Sequence, residues 1–176
     1  MEPEDRLKTY IAMGEVSRKW VSVMDTKAAF LSALNGALLG FIWTGAKFVE
    51  AEDWPKWLAL GASLCSLISL LSALWTVIPR GSLSKTFCRH SRYANGFKAI
   101  SFYGYVASHY PQGEESTFFK DVDAMDEATL AREALEQHYT ISHSIQKKSD
   151  WVTLSGWLLM AALILTGAAL IAKVMS

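Results

Sequence analysis

The residues best suited to chemistry lie between 80 and 98, where Arg80, Phe87, Arg89, Arg92, Tyr93, Phe97 and Lys98 interleave cations with aromatic rings and no acidic residue intervenes. A guanidinium binds phosphate oxygens through paired N–H donors, and an aromatic face stacks on a planar base. Such a segment suits a small anionic ligand, a nucleotide monophosphate in particular, with Arg89, Arg92, Tyr93 and Lys98 as candidate contacts. The same charges have a plainer use, because Lys and Arg near a bilayer are each attracted to anionic headgroups by about 1 kcal/mol. Both readings stand on the sequence alone. Long nucleic acid is not implied, since Glu114, Glu115, Asp121, Asp123, Asp126 and Glu127 follow the basic stretch.

No catalytic set accompanies these residues. A helical zinc site needs two histidines at i and i+4, whereas His138 and His143 are five apart, which fits surface or packing roles. There is no Gly-rich phosphate cradle and no nucleophile elbow. Arg132, Glu133 and Glu136 read as a solvated helix surface with local charge pairing. Cys65 and Cys88 make neither a disulfide framework nor a metal-ligand spacing. The expectation is a protein that is not an enzyme, with no cofactor and no metal.

The elements that position these residues are set by hydropathy. Of 176 residues, 51% are hydrophobic, while 17 basic and 17 acidic side chains cancel, so distribution matters more than balance. Ala28 to Phe48 is a run of twenty-one residues with no charge before Lys47, and as a helix it covers roughly 30 Å, a bilayer's hydrocarbon core. Trp57–Ile78 and Trp151–Ala172 are two further uncharged runs. The chain therefore reads as an all-α membrane protein with three transmembrane helices and a helical cytosolic domain. Its parts are a cytosolic amphipathic helix over 1–27, spans over 28–48, 57–78 and 151–173, a short external loop over 49–56, and a cytosolic sensor region over 79–150.

Each span carries small residues at helical spacing: Ser32, Gly36 and Gly40 with Asn35 beside them; Ala62, Ser66, Ser69 and Ala73; Ser155, Ala162, Thr166 and Ala169. Small residues let helix backbones approach, and an amide in hydrocarbon seeks a partner on another helix. Asn35, Gly36 and Gly40 are thus candidates for ordinary packing or for the lining of a gate, and the sequence leaves the two open.

Arg80, Lys85, Arg89, Arg92 and Lys98 after the second span, with Arg18, Lys19 and Lys27 before the first, place those sides in the cytoplasm and the acidic loop Glu50, Glu52, Asp53 outside. The N-terminus is then inside and the C-terminus outside. The charged start, with Glu2, Glu4, Asp5, Arg6 and Lys8, is unlike a cleavable signal peptide. Leu7, Tyr10, Ile11, Val16, Trp20, Val23 and Met24 predict an amphipathic helix running into the first span. Asp126 is placed to cap a helix that continues without Gly or Pro to Gly156. Three spans are too few to enclose a channel alone, so a homo-oligomer is expected.

Trp20 followed by Asp25, Thr26, Lys27, Ala28 and by Asn35, Gly36 resembles the Pycsar transmembrane effector family, as do Pro79 and Arg80, the stretch Ile100–Ala107, Gln137, His138, Tyr139, and Ile145, Gln146, Lys147, Lys148. The resemblance spans nearly the whole chain. It implies a bacterial inner-membrane antiphage effector that responds to cyclic CMP or cyclic UMP made on infection and disrupts the bilayer, causing abortive infection. A membrane scaffold that recruits a partner through its cytosolic helices, without ligand or leakage, is the competing reading.

Overall fold

The computed structural model of the chain describes residues 3–48, 54–78, 100 and 103–175. Among these, regular structure is helical throughout: α1 (Pro3–Gly40), a π-helical turn (Phe41–Gly45), α2 (Trp54–Val77), α3 (Tyr103–His109), α4 (Glu115–Asp123) and α5 (Glu127–Met175). The expected continuity is present, since α1 carries the amphipathic start into the first apolar run, and α5 is one helix of 49 residues. Three helices are long and apolar enough to cross a membrane. The second starts at Trp54, earlier than its hydropathy implies, because Pro55 has no N–H to lose in a first helical turn.

The chain divides into an apolar unit, Val21–Ile78 with Ile145–Ser176, and a polar unit, Met1–Trp20 with Pro79–Ser144. Both α1 and α5 contribute residues to each.

In the apolar unit most buried positions follow alternating steps of three and four: Met24, Ala28, the half-buried Leu31, Asn35, Leu38 and Ile42 on α1; Ala59, Ala62, Ser66, Ser69, Ala73 and Thr76 on α2, with Ser72 buried beside them; Val152, Ser155, Leu159, Ala162, Thr166 and Ala169 on α5. A period of 3.5 residues keeps one seam facing its neighbours, as in coiled-coil packing. The large apolar side chains point the other way: Phe30, Trp57, Leu64, Leu71, Trp157 and Ile164 are all exposed. A unit whose interior is smaller and more polar than its surface is inside out for water and right for lipid, where packing favours small residues. The tryptophans Trp43, Trp54 and Trp57 at one end and Trp75 and Trp151 at the other fall where aromatic side chains gather at membrane interfaces.

The small-residue faces expected on α2 and α5 are the buried ones, but the one expected on α1 is not. Gly36 and Gly40 lie on the exposed side, and a Cβ built on either meets nothing within 4 Å. Asn35, one residue round the helix, takes the interior position instead. Trp20 is half exposed, and Phe119 on α4 is 60% exposed.

At the end of α1 the Ala46 amide donates to the Phe41 carbonyl at 2.8 Å, and Lys47 turns out of the helix with a left-handed φ of 50°. That conformation costs a non-glycine residue about 1 kcal/mol. Lys173 offsets it from α5: its Nζ donates to the Ala46 carbonyl at 2.7 Å and lies 5.5 Å from the centre of the Phe48 ring. At the opposite end of the unit Lys148 pairs with Asp25. These two lysines are 25 residues apart on α5, roughly 37 Å of helix, a little more than a hydrocarbon core.

Candidate functional site

In the polar unit, α5 begins at a cap that the sequence announces. The Thr129 amide donates to Asp126 Oδ1 at 2.9 Å, and the hydrogen bonds from Thr129 hold the Asp126 carboxyl below the ordinary carboxylate pKa. Before it, α3 and α4 are joined by Tyr110, whose hydroxyl donates to Asp121 Oδ2 at 2.8 Å and whose ring meets Phe118 edge-on at 5.2 Å. Partial burial and the adjacent Asp121 push the Tyr110 phenol up to about 12.

Where α1 and α5 face each other, Ser17 and His138 Nδ1 share a hydrogen bond of 2.8 Å. Next to this bond, with the neighbouring residues Arg18 and Gln137 in its lining, lies a pocket of about 240 Å³. Its α5 wall comes from Leu130, Glu133, Ala134 and Gln137, which fall on one helix face at spacings of three and four. Its α1 wall includes Leu7, Tyr10 and Arg18, set along a stripe of the same kind.

Glu133 is only 2% exposed, and the Gln137 amide donates to its Oε1 at 3.3 Å. This corrects the expectation of a solvated surface. Arg132 and Glu136 do form the expected exposed pair at 3.4 Å, but Glu133 is turned by one position into the pocket wall. Gly14 is buried beneath Arg18, and a Cβ placed on it would sit 3.7 Å from the Arg18 Nη2 atom. The guanidinium therefore lies back over the helix it belongs to, at the pocket. Chemically the lining offers a carboxyl acceptor, an amide, a phenol and a cation against apolar walls, a set with hydrogen-bonding capacity for a small polar molecule.

The apolar unit holds a second constellation, closed and uncharged. Asn35 donates through Nδ2 to the Leu31 carbonyl and to Ser69 Oγ, both at 2.8 Å, and accepts at Oδ1 from Ser66 at 2.9 Å. Ser69 in turn donates to the Ser155 carbonyl at 2.7 Å, and Ser155 donates to the Ser69 carbonyl at 2.9 Å. Asn35, Ser66, Ser69 and Ser155 are fully buried. Among the described residues no buried side-chain polar atom lacks a partner. One amide and three hydroxyls thus tie all three long helices together inside the apolar unit, nearer the Asp25 and Lys148 end than the Lys173 end, and each donor and acceptor compensates another where water is absent.

Of the residues expected to matter, Asn35 sits at the centre of this network and Gly36 and Gly40 lie outside it. Arg89, Arg92, Tyr93 and Lys98 lie outside the described residues. The pocket residues Glu133 and Gln137 were missed. Only Leu130 and Ala134 carry the apolar spacing of that face, and the polar Glu133 and Gln137 between and after them give no such signal. Among the described residues no group of three or more His, Cys, Asp or Glu side chains is placed to hold a metal ion.

The family model of the Pycsar effector protein domain matches residues 12–173 of the chain. No curated protein and no solved structure matches it.

Proposed function

As the chain belongs to the Pycsar effector protein domain family, and so serves antiphage defence from a membrane, we propose that it is a bacterial inner-membrane effector that makes the bilayer leak when a cyclic pyrimidine mononucleotide appears. Its polar unit lies in the cytoplasm and receives the signal, and its apolar unit is the part that opens. It performs no catalysis.

The observation that carries this reading is the sharing of α1 and α5 by both units. A ligand that moves either helix in the polar unit acts on a chain segment that also forms the span interior. Such a ligand shifts the equilibrium only by its preference for the leaky arrangement over the closed one. The closed arrangement is held by neutral interhelical hydrogen bonds, which in membranes are worth about 0.6 kcal/mol each on average. Their sum is small enough for one binding event to outweigh. Since three spans enclose no channel, leakage requires several copies. The basic segment with Arg89, Arg92, Tyr93 and Lys98 supplies cations for the phosphate.

The test is dye release from liposomes carrying the full chain, with cyclic UMP, cyclic CMP, cyclic AMP or nothing added. Release confined to a pyrimidine nucleotide is expected. Replacing both Arg89 and Arg92 with Ala should abolish it without affecting insertion. Inserted protein that stays tight with every nucleotide would overturn the proposal in favour of a partner-recruiting membrane scaffold.

A further inference from the structure

We propose that the pocket between α1 and α5 in the polar unit receives the pyrimidine base of the signal, with Glu133 and Gln137 on the base's hydrogen-bonding edge and Arg18 on the phosphate side. This rests on the reading above, that a cyclic pyrimidine nucleotide is the signal, and adds where and how its base is recognised.

Volume is the first ground. At about 240 Å³ the pocket is below the roughly 300–1,000 Å³ that encloses whole ligands, so it admits one ring system and leaves the remainder of the molecule at the rim. Chemistry is the second. Cytosine and uracil each present an N–H donor beside a ring or carbonyl acceptor. A carboxyl oxygen takes the first and an amide NH₂ supplies the second. Glu133 and Gln137 provide that pair one helical turn apart on the same face of α5. Their side chains lie within 3.3 Å of each other, so one planar edge can span both.

The walls complete the site. Leu7 and Leu130 supply apolar surface for the faces of a planar ring. Arg18 is exposed at the rim, where its guanidinium meets a phosphate without being desolvated. A base bound here bridges α1 and α5, so occupancy is read directly as a constraint on two helices that continue beyond the polar unit.

The experiment is calorimetric titration of the full-length protein in lipid nanodiscs with cyclic CMP, cyclic UMP and cyclic AMP, comparing wild type with Ala134→Leu and Glu133→Gln. The first variant fills the pocket while keeping each polar group and a strong helix former, and the second keeps the volume and changes the acceptor. Binding of a pyrimidine nucleotide weakened at least tenfold by Ala134→Leu, at unchanged helix content, is the expected result. Glu133→Gln should shift the ratio of the two pyrimidine affinities at least fivefold, because an amide also donates. Should Ala134→Leu unfold, this ratio decides alone. Wild type that binds while both folded variants bind within twofold of it would overturn the pocket assignment and leave the signal reading intact. Wild type that binds no nucleotide would overturn the signal reading, and the assignment with it.

Discussion

Ser69 and Ser155 bind each other twice: each hydroxyl donates to the other's backbone carbonyl, at 2.7 and 2.9 Å, and the two hydroxyl oxygens are 3.0 Å apart. The exchange needs two backbones close enough that only small side chains fit, and it is passed to the third helix by Asn35. Ser155→Ala should lower stability by about 0.6 kcal/mol and by no more than roughly 1.7 kcal/mol. Asn35→Ala should cost more, about 1–2 kcal/mol, because it removes the bond to Ser69 and leaves the Ser66 hydroxyl only its longer bond, 3.3 Å, to the backbone carbonyl of residue 35. Reversible unfolding in mixed micelles measures both.

The Lys148 and Asp25 pair is partly open to solvent, with side chains 25% and 39% exposed. A double-mutant cycle with Lys148→Gln and Asp25→Asn should give a coupling below about 1 kcal/mol. Raising salt should reduce it further. A larger, salt-independent coupling would show that the pair is sealed from water.

Gly36→Ala and Gly40→Ala should leave the unfolding free energy of the single chain unchanged or raise it by up to about 1 kcal/mol, since neither Cβ meets a neighbour and glycine is a poor helix former. If either variant, so folded, loses liposome leakage or oligomer in cross-linking, the outward stripe works between copies.

Tyr110 gives a pH window. Its phenol is pushed from the ordinary 10.0 up to about 12, so the folded unit binds more protons than the unfolded one between those values. The stability linked to it is fully present below about pH 10 and lost as pH rises through about 12. Absorbance titration of the six tyrosines should show one late phase that Tyr110→Phe removes.

Asp126 works in the opposite direction. Its folded pKa is depressed, so its contribution is present above the ordinary carboxylate value of 3.8 and lost as pH falls through the lower folded value. Acid titration of helix content should therefore show a late loss at the start of α5, and Asp126→Ala should remove that acid phase because its cap is already absent at neutral pH.

By itself the sequence determined the number of spans, the continuity of α1 and α5, the Asp126 cap and the buried faces of α2 and α5. Each is local: a charge-free run of the right length, the absence of a helix breaker, a side-chain oxygen three residues from an amide, small residues recurring on an otherwise bulky helix. Tertiary structure alone decided which side of α1 faces inward. Asn35 and Gly36 are adjacent, nearly every residue around them is apolar or small, and in lipid an exposed glycine carries no solvation penalty, so the pattern on that helix has no preferred side. Only the hydroxyls of Ser66 and Ser69 on another helix choose Asn35. Glu133 was hidden for the converse reason. A carboxyl group flanked by Arg132 and Glu136 looks solvated along the chain, and only the approach of α1, with Leu7 and Tyr10, makes its side of α5 an interior.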